Sequence, residues 1–218
     1  DPTKPSLWES SANRSKAASL WRKLAERYKD EQWIGGYDLL NEPNWNLPGG
    51  QLLRAFYDMV TDSIRSVDTN HIIYIEGNWF ANTFTGLTPP WDSNLVYSPH
   101  KYWSPVFNIS DIQYGLDLRD NFNVPIWFGE TGENSNAWYT DLIRLFETNG
   151  VGWAWWPEKK LETINAPLSY LKSTGYQDLL NYWSGATNTP PSVSDATNGL
   201  MQLAEKLKLE NRVYNRGV

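Results

Sequence analysis

The chain has 218 residues, a net charge of -6 and no cysteine, and 40% of its residues are hydrophobic. This is the composition of an ordinary globular protein with a sizeable core. The acidic balance argues against nucleic acid as a partner, since phosphate binding needs clustered Lys and Arg, and gives no reason to expect a membrane surface as partner. The lack of cysteine excludes disulfides, thiolate metal sites and cysteine nucleophiles. With only two histidines, a multi-histidine metal site is not expected.

Aromatic residues are unusually frequent, with 13 Trp, 12 Tyr and 7 Phe. Most such rings fill protein cores. Their flat apolar faces are also what proteins stack on sugar rings, so the excess modestly favours a carbohydrate ligand.

Amphipathic helices alternate with short apolar strands along the chain. The patterns predict, in order, a helix over 14–28, a strand over 33–40, a helix over 50–67, strands over 71–76 and 94–98, a helix over 111–121, a strand over 124–128, a helix over 136–148, a strand over 151–155 and a helix over 193–209. This order indicates a parallel sheet covered by helices. No G-x-G-x-x-G sequence supports the alternative of an open nucleotide-binding sheet, so a (β/α)8 barrel is favoured.

Two glutamates directly follow apolar strands, where a carboxylate is costly unless it is used or paired. Glu42 ends the segment DLLNE, and Glu130 ends the segment WFGE. If neighbouring strand ends bring them together, one can hold a proton while the other stays ionised. Glycoside cleavage needs such a pair. For either glutamate alone, a capping or ion-pairing role is equally compatible with the pattern.

Polar residues near the two glutamates strengthen the glycosidase interpretation. Asn41 precedes Glu42, and its amide can donate to a sugar hydroxyl. His100 and Tyr102 follow a third strand, and a tyrosine hydroxyl can orient a neighbouring nucleophile. A lone histidine is otherwise more often a satisfied core residue.

Four motifs, in this order, resemble those of glycoside hydrolase family 5: YDLLNEP at 37–43, SPHKYW at 98–103, IWFGE at 126–130 and GWAWW at 152–156. The resemblance covers nearly the whole chain, 1–218, read as one partial catalytic domain. It implies the α/β fold of a (β/α)8 TIM barrel, of which this chain supplies about strands four to eight. Three strands would then precede Asp1, on a separate N-terminal fragment or elsewhere in a longer chain; an inactive half-barrel is the third alternative.

The resemblance also implies a retaining mechanism without metal or cofactor. Glu42 corresponds to the acid/base and Glu130 to the nucleophile, with Tyr102 beside the nucleophile. Substrate binding is implied for Asn41, His100, Tyr102, Trp79 and Trp156, the last with Trp155 as the alternative register.

The resemblance favours a secreted or periplasmic endo-acting enzyme on a β-1,4-glucan such as cellulose. A β-mannanase, a xyloglucanase and an exo-β-glucanase of the same fold are the alternatives. Two rivals of another class are a non-catalytic carbohydrate-binding protein and a structural half-barrel, and both leave the placement of the two glutamates unexplained. The carboxyl groups should lie about 5–5.5 Å apart for retention, against 6.5–9.5 Å for inversion.

Overall fold

The computed structural model describes residues 4–104 and 107–216. The chain divides into two compact units, one formed by Asp1–Glu130 with Leu145–Ala154 and the other by Thr131–Arg144 with Trp155–Val218. Within the described residues, no helix combines the length and the apolarity that a bilayer crossing requires.

The first unit holds the alternating helices and strands expected of a barrel. In chain order they are α1 (Ser11–Tyr28), β1 (Gly36–Asp38), α2 (Gln51–Arg65), β2 (Ile72–Ile75), the single turn α3 (Asn78–Ala81), β3 (Leu95–Tyr97), β4 (His100–Lys101) and α4 (Gln113–Phe122), with 3-10 turns at Pro48–Gly50 and Ile109–Asp111. Strands β5 (Trp127–Gly132) and β6 (Gly152–Trp156) begin in this unit.

The second unit contains the later elements. They are most of α5 (Asn136–Thr148), then β7 (Lys159–Leu161), β8 (Leu168–Tyr170), α6 (Thr174–Trp183), α7 (Val193–Lys206), a 3-10 turn at Leu209–Asn211 and β9 (Val213–Tyr214). Helices α6 and α7 approach closely at Gly175 and Gly199, where a Cβ on Gly199 would lie 2.5 Å from the Gly175 carbonyl oxygen.

Parallel strand pairing places the site residues at one edge of a sheet. Strands β1, β2 and β3 pair in parallel in that order, with Gly36 opposite Ile72 and Ile73 opposite Leu95. A parallel bridge from Tyr97 to Ile126 leads towards β5, and a second sheet has the order β4-β5-β6. In parallel strands all carboxyl ends lie at the same edge, so the residues that follow β1, β2 and β4 lie near one another.

Helix α2 shows how the sequence covers this sheet. Its apolar positions recur at helical spacing and are buried: Leu53, Phe56, Tyr57, Val60 and Ile64. Its other face is mostly polar, so α2 buries one stripe, which packs against α1 and reaches the end of β2 through the Tyr57 hydroxyl.

Three sequence-based predictions needed correction. The strand expected over 33–40 is only Gly36–Asp38; Trp33 is 86% exposed, in a turn where its N–H donates to the Glu31 carboxylate. Strand β5 starts later and continues to Gly132, so Glu130 lies within a strand rather than after one. Residues 158–189, for which the sequence patterns predicted no element, contain β7, β8 and α6.

Candidate active site

The two glutamates singled out from the sequence lie side by side in the first unit. Glu42 follows β1, and Glu130 lies in β5. One carboxylate oxygen of each lies within 4.8 Å of the other and of a ring nitrogen of His100. Both side chains are half-buried, so they are reachable from solvent yet partly shielded from it. The structure therefore brings together the two carboxylates that the sequence placed at separate strand ends.

His100 lies between the two glutamates. Its Nδ1 is 2.9 Å from Oε1 of Glu42 and 3.5 Å from Oε2 of Glu130, and its Nε2 is 3.4 Å from Oε1 of Glu76. Burial alone would lower the pKa of His100, but hydrogen bonding to Glu76 and Glu42 and the negative charges of Glu76 and Glu130 outweigh it and raise the pKa to about 9. His100 is therefore an imidazolium at neutral pH, and both ring nitrogens donate.

Tyr102 contacts the second glutamate directly. Its hydroxyl donates a hydrogen bond of 2.6 Å to Oε2 of Glu130. A hydroxyl-to-carboxylate bond of this length is charge-assisted and strong. It fixes one oxygen of Glu130 and leaves the other free to react.

The close approach of β5 to Ser98 requires a glycine beside Glu130. A Cβ on Gly129 would lie 2.4 Å from Oγ of Ser98 and 3.4 Å from Nε2 of His100. A side chain there would collide with Ser98, so the glycine that precedes Glu130 has a steric role.

A third glutamate, which the sequence analysis did not assign to the site, contacts Glu42 and His100. Glu76 directly follows β2 and is only 2% exposed. Its Oε2 accepts a 2.5 Å hydrogen bond from the backbone N–H of Glu42, and its own carbonyl accepts one from the Tyr57 hydroxyl. Its position after the apolar segment HIIYI is the same signal that identified Glu42 and Glu130.

Asp38 is paired with this buried glutamate. Loss of hydration around its carboxyl, together with the negative charge and hydrogen bonding of Glu76, raises the pKa of Asp38 to about 8. At neutral pH Asp38 therefore carries a proton that it donates to the Glu76 carboxylate.

The backbone at Glu42 has an uncommon conformation. Its φ is 45°, in the left-handed region that non-glycine residues rarely adopt. Such a conformation costs about 1–3 kcal/mol and persists only where the surroundings determine it. The hydrogen bond from Glu42 N–H to Glu76 is one of the contacts that hold it.

An aromatic cleft opens beside Glu42. A cavity of about 400 Å³ is lined by Glu42, Trp79, Phe80, Asn82, Tyr102 and Trp103. The turn α3 is left-handed from Trp79 to Ala81, with φ values of 57°, 55° and 60°. It is tied to the Glu42 loop by a hydrogen bond from Phe80 N–H to the Pro43 carbonyl. Trp79 and Phe80 are 63% and 44% exposed, so the strained turn presents both rings to solvent.

Two of the predicted substrate-binding residues remain, Asn41 and Trp156. Asn41 precedes Glu42 and is exposed. Trp156 ends β6 in the second unit and is 50% exposed, whereas the neighbouring Trp155 stacks on Tyr139 with ring centroids 3.3 Å apart. Of the two tryptophans considered for stacking on a sugar, Trp156 is the one whose indole faces solvent.

Glu42, His100 and Glu130 also form a donor set with metal-ligand spacing. An imidazolium has no free lone pair for a metal, so His100 can ligate only after losing the proton that the neighbouring carboxylates favour. The absence of a required metal remains a prediction from the sequence.

Comparisons with known proteins give relatives that act on glycosides. Over 99 residues the chain is 37% identical to a β-xylosidase of Phanerodontia chrysosporium, covering 44% of this chain and 20% of that protein. Over 196 residues it is 26% identical to an endoglucanase of Paenibacillus polymyxa, covering 69% of this chain and 49% of that protein. The chain thus spans between a fifth and a half of the length of these curated relatives.

Solved structures give the same fold. The cellulose synthase subunit Z of Clostridioides difficile matches with a TM-score of 0.62 at 22% identity, over 72% of this chain and 63% of that chain. Endo-glycoceramidase II from Rhodococcus sp. matches with a TM-score of 0.62 at 21% identity, over 73% of this chain and 42% of that chain. The fold is that of a (β/α)8 barrel, and this chain covers part of it.

The family model described as cellulase (glycosyl hydrolase family 5) matches residues 2–162. This stretch includes Glu42, His100, Tyr102 and Glu130, and all four predicted motifs. The chain belongs to glycosyl hydrolase family 5.

Proposed function

We propose that this chain carries the catalytic residues of a retaining, endo-acting hydrolase of β-1,4-glucans. The observation that supports this most directly is the pair Glu42 and Glu130, with carboxylate oxygens within 4.8 Å beside an aromatic cleft. Oxygens this close suit direct attack on the anomeric carbon, for which the two carboxyl groups lie about 5–5.5 Å apart, better than the separation of about 6.5–9.5 Å in inverting enzymes. The structure and the comparisons establish a glycosidase family; retention and the substrate are the proposal.

In the first step, Glu42 acts as the acid. His100 donates to Oε1 of Glu42, so the transferable proton lies on Oε2 and passes to the glycosidic oxygen as the bond to the anomeric carbon breaks. Glu130 attacks that carbon with the oxygen that Tyr102 does not hold, and a glycosyl ester forms.

In the second step, Glu42 acts as the base. Now ionised, it takes a proton from a water that attacks the anomeric carbon, and the ester bond to Glu130 breaks. The Tyr102 hydroxyl stabilises the departing carboxylate of Glu130. Glu42 is again protonated and Glu130 ionised, so the cycle closes.

The similarity to an endoglucanase supports a β-1,4-glucan as the substrate of this chain. The β-xylosidase relative and the endo-glycoceramidase structure make a xyloside or a glycolipid alternative substrates, and a β-mannan or xyloglucan is accommodated by the same chemistry. The alternative outside the enzymes is a non-catalytic carbohydrate-binding protein. That alternative does not explain why Glu42 is hydrogen-bonded to His100 and Glu130 to Tyr102.

We further propose that the active enzyme contains a segment that completes the barrel, either an associated N-terminal fragment or part of a longer chain. Strand β1 is at the edge of its sheet, and an open edge of this kind is usually paired or covered. A polymeric glucan is met outside the cell, so we propose that the enzyme is secreted or periplasmic.

The test determines the polypeptide composition of an active preparation and the stereochemistry of its products. Native and denaturing mass spectrometry of an active preparation should reveal the completing segment, and NMR of the first products should show the β-anomer. Glu42→Gln and Glu130→Gln should each lower kcat by 10³-fold or more, an order of magnitude set by removal of a central catalytic group. An α-anomeric product, or full activity in Glu130→Gln, would refute the mechanism.

A further inference from the structure

A buried lysine adjoins one wall of the catalytic cleft. Lys101 ends β4, one residue before Tyr102, and is only 2% exposed. Among the residues that the structure describes, it is the one buried lysine. An ammonium group without water around it is costly unless polar or charged neighbours compensate for the lost hydration. The neighbours of Lys101 therefore indicate why a cation is kept at this position.

Two polar side chains hold the ammonium group on one side. Nζ of Lys101 donates to Oγ of Ser104 at 3.1 Å and lies 3.9 Å from Oδ1 of Asp111. The Ser104 hydroxyl in turn donates to the same Oδ1 at 2.7 Å. Burial lowers the pKa of Lys101, and the negative charge of Asp111 opposes that change. The carboxylate thus favours the charged form of the lysine.

Asp111 is itself fixed in place. It closes the capping box of the 3-10 turn Ile109–Asp111, in which the backbone N–H of Asn108 donates to Oδ2 of Asp111 at 3.0 Å. This N–H and the Ser104 hydroxyl hold the pKa of Asp111 below its ordinary value. Asp111 is therefore an ionised anchor that joins the start of α4 to the segment that follows β4.

The ammonium group also faces an indole of the cleft. Nζ of Lys101 is 4.5 Å from the centre of the Trp103 ring, which is the distance of a cation–π contact. Trp103 lines the cleft together with Glu42 and Tyr102, and it is 50% exposed. Tyr102, between the two in sequence, turns instead to Glu130. Lys101 therefore covers part of the Trp103 indole, and the remainder of the ring is open to the cleft.

We propose that Lys101 is a positioning residue that fixes the Trp103 indole for substrate binding, with Ser104 and Asp111 as its supports. The proposal rests on the proposed function in one respect, the contact of Trp103 with substrate in the cleft. Because Tyr102 is held separately by Glu130, loss of the cation acts on substrate binding rather than on the chemical step. A purely structural cation would instead affect the stability of the fold and leave the affinity of each folded molecule unchanged.

The first measurement is steady-state kinetics of Lys101→Met on cellohexaose, in an active preparation. Methionine keeps the length of the side chain and removes its charge. We expect KM to rise about fivefold and kcat to change by less than about twofold, the scale of losing one partly buried cation–π contact. Ser104→Ala removes one acceptor of the ammonium group and keeps the lysine, so KM should rise less, and this variant decides the question if Lys101→Met does not fold.

The matched control is Lys29→Met, because Lys29 follows α1 and forms an ion pair with Glu26 at 3.1 Å; its kinetics should equal those of the unchanged enzyme.

Fluorine NMR of protein labelled with 5-fluorotryptophan gives a second readout that needs neither substrate nor turnover. The Trp103 resonance is assigned by its disappearance in Trp103→Phe. We expect Lys101→Met to move this resonance more than any other indole signal, and Lys29→Met to leave it in place. An unmoved Trp103 resonance, or an unchanged KM in an active enzyme, would overturn the proposal. If the unchanged enzyme does not cleave cellohexaose, the proposed function fails, and the fluorine resonance alone then decides whether Lys101 positions Trp103.

Discussion

The backbone N–H of Glu42 donates a 2.5 Å hydrogen bond to the buried carboxylate of Glu76. The bond crosses from the end of β1 to the end of β2, and it acts on a residue whose φ is 45°. A buried carboxylate thus holds the main chain of Glu42 in a conformation that it would not adopt unaided. The same carboxylate approaches Nε2 of His100, so Glu76 positions two residues of the site without facing the cleft.

Replacing Glu76 should therefore impair catalysis through geometry. In Glu76→Ala, the Glu42 N–H and His100 lose a shared acceptor, and we expect kcat to fall by about 10²-fold, the scale of a misplacement of around 1 Å. Glu76→Gln keeps an amide oxygen that can accept from Glu42 N–H, and its loss should be smaller. Steady-state kinetics on p-nitrophenyl β-cellobioside measures kcat for both variants.

A purely structural role for Glu76 predicts a different result. In that case both variants would lose folded protein and activity together, with kcat per folded molecule unchanged. Circular dichroism and titration of the active fraction distinguish the two outcomes.

Tyr102→Phe should affect Glu130 specifically. It removes a 2.6 Å hydrogen bond to Oε2, and a bond to a charged group contributes roughly 1.5–3 kcal/mol. We expect kcat to fall by about 10–100-fold, with KM changing little. Tyr214→Phe removes a hydroxyl from an exposed tyrosine of the second unit and should have wild-type kinetics.

Asp38→Asn tests the proton shared with Glu76. Because the pKa of Asp38 is raised to about 8, its contribution to stability is complete below its unfolded pKa and is lost as the pH rises towards 8. An asparagine can still donate a hydrogen bond to Glu76 but has no proton to lose. We expect the variant to keep activity at neutral pH and to lose less of its melting temperature than the unchanged protein between pH 5 and pH 9.

The contrasting variant is Asp38→Ala, which leaves Glu76 without this donor. It should be less stable than Asp38→Asn at every pH. Identical melting curves for the unchanged protein and Asp38→Asn across this range would contradict the shared proton.

Sequence periodicity predicted the elements whose side chains repeat regularly. The helix over 136–148 is found as Asn136–Thr148, and the predicted strand over 71–76 is Ile72–Ile75. The predicted start of β1 was wrong because the apolar residues Trp33 and Ile34 give the same sequence pattern whether their side chains are buried or exposed. Tertiary packing, which the local pattern does not contain, decides between the two.

The two glutamates of the candidate site were predictable because each directly follows an apolar segment of the sequence. The same signal was present at Glu76, but nothing local indicates that its carboxylate turns towards a neighbouring backbone N–H. The left-handed turn at Trp79–Ala81 could not be predicted from the sequence for a similar reason. None of these residues is a glycine, and only the surrounding hydrogen bonds determine their positive φ.

The last prediction concerns His100, the cation among three carboxylates. With only two histidines in the chain, NMR can follow its ring directly, and we expect its titration midpoint near pH 9. A histidine whose folded pKa is raised stabilises the fold fully below its unfolded pKa of about 6.5, and this stabilisation disappears as the pH rises through 9. At about 1.4 kcal/mol for each pKa unit, the free energy involved is on the order of a few kcal/mol. The difference in free energy of unfolding between the unchanged protein and His100→Gln should therefore shrink between pH 6.5 and pH 9.

In Glu76→Gln the titration midpoint of His100 should move to lower pH, because one of the carboxylates that favour the imidazolium is gone. A midpoint near 6.5 in the unchanged protein would mean that a neutral His100 donates to Glu42, and the carboxylates around it would then not act as its counter-charges.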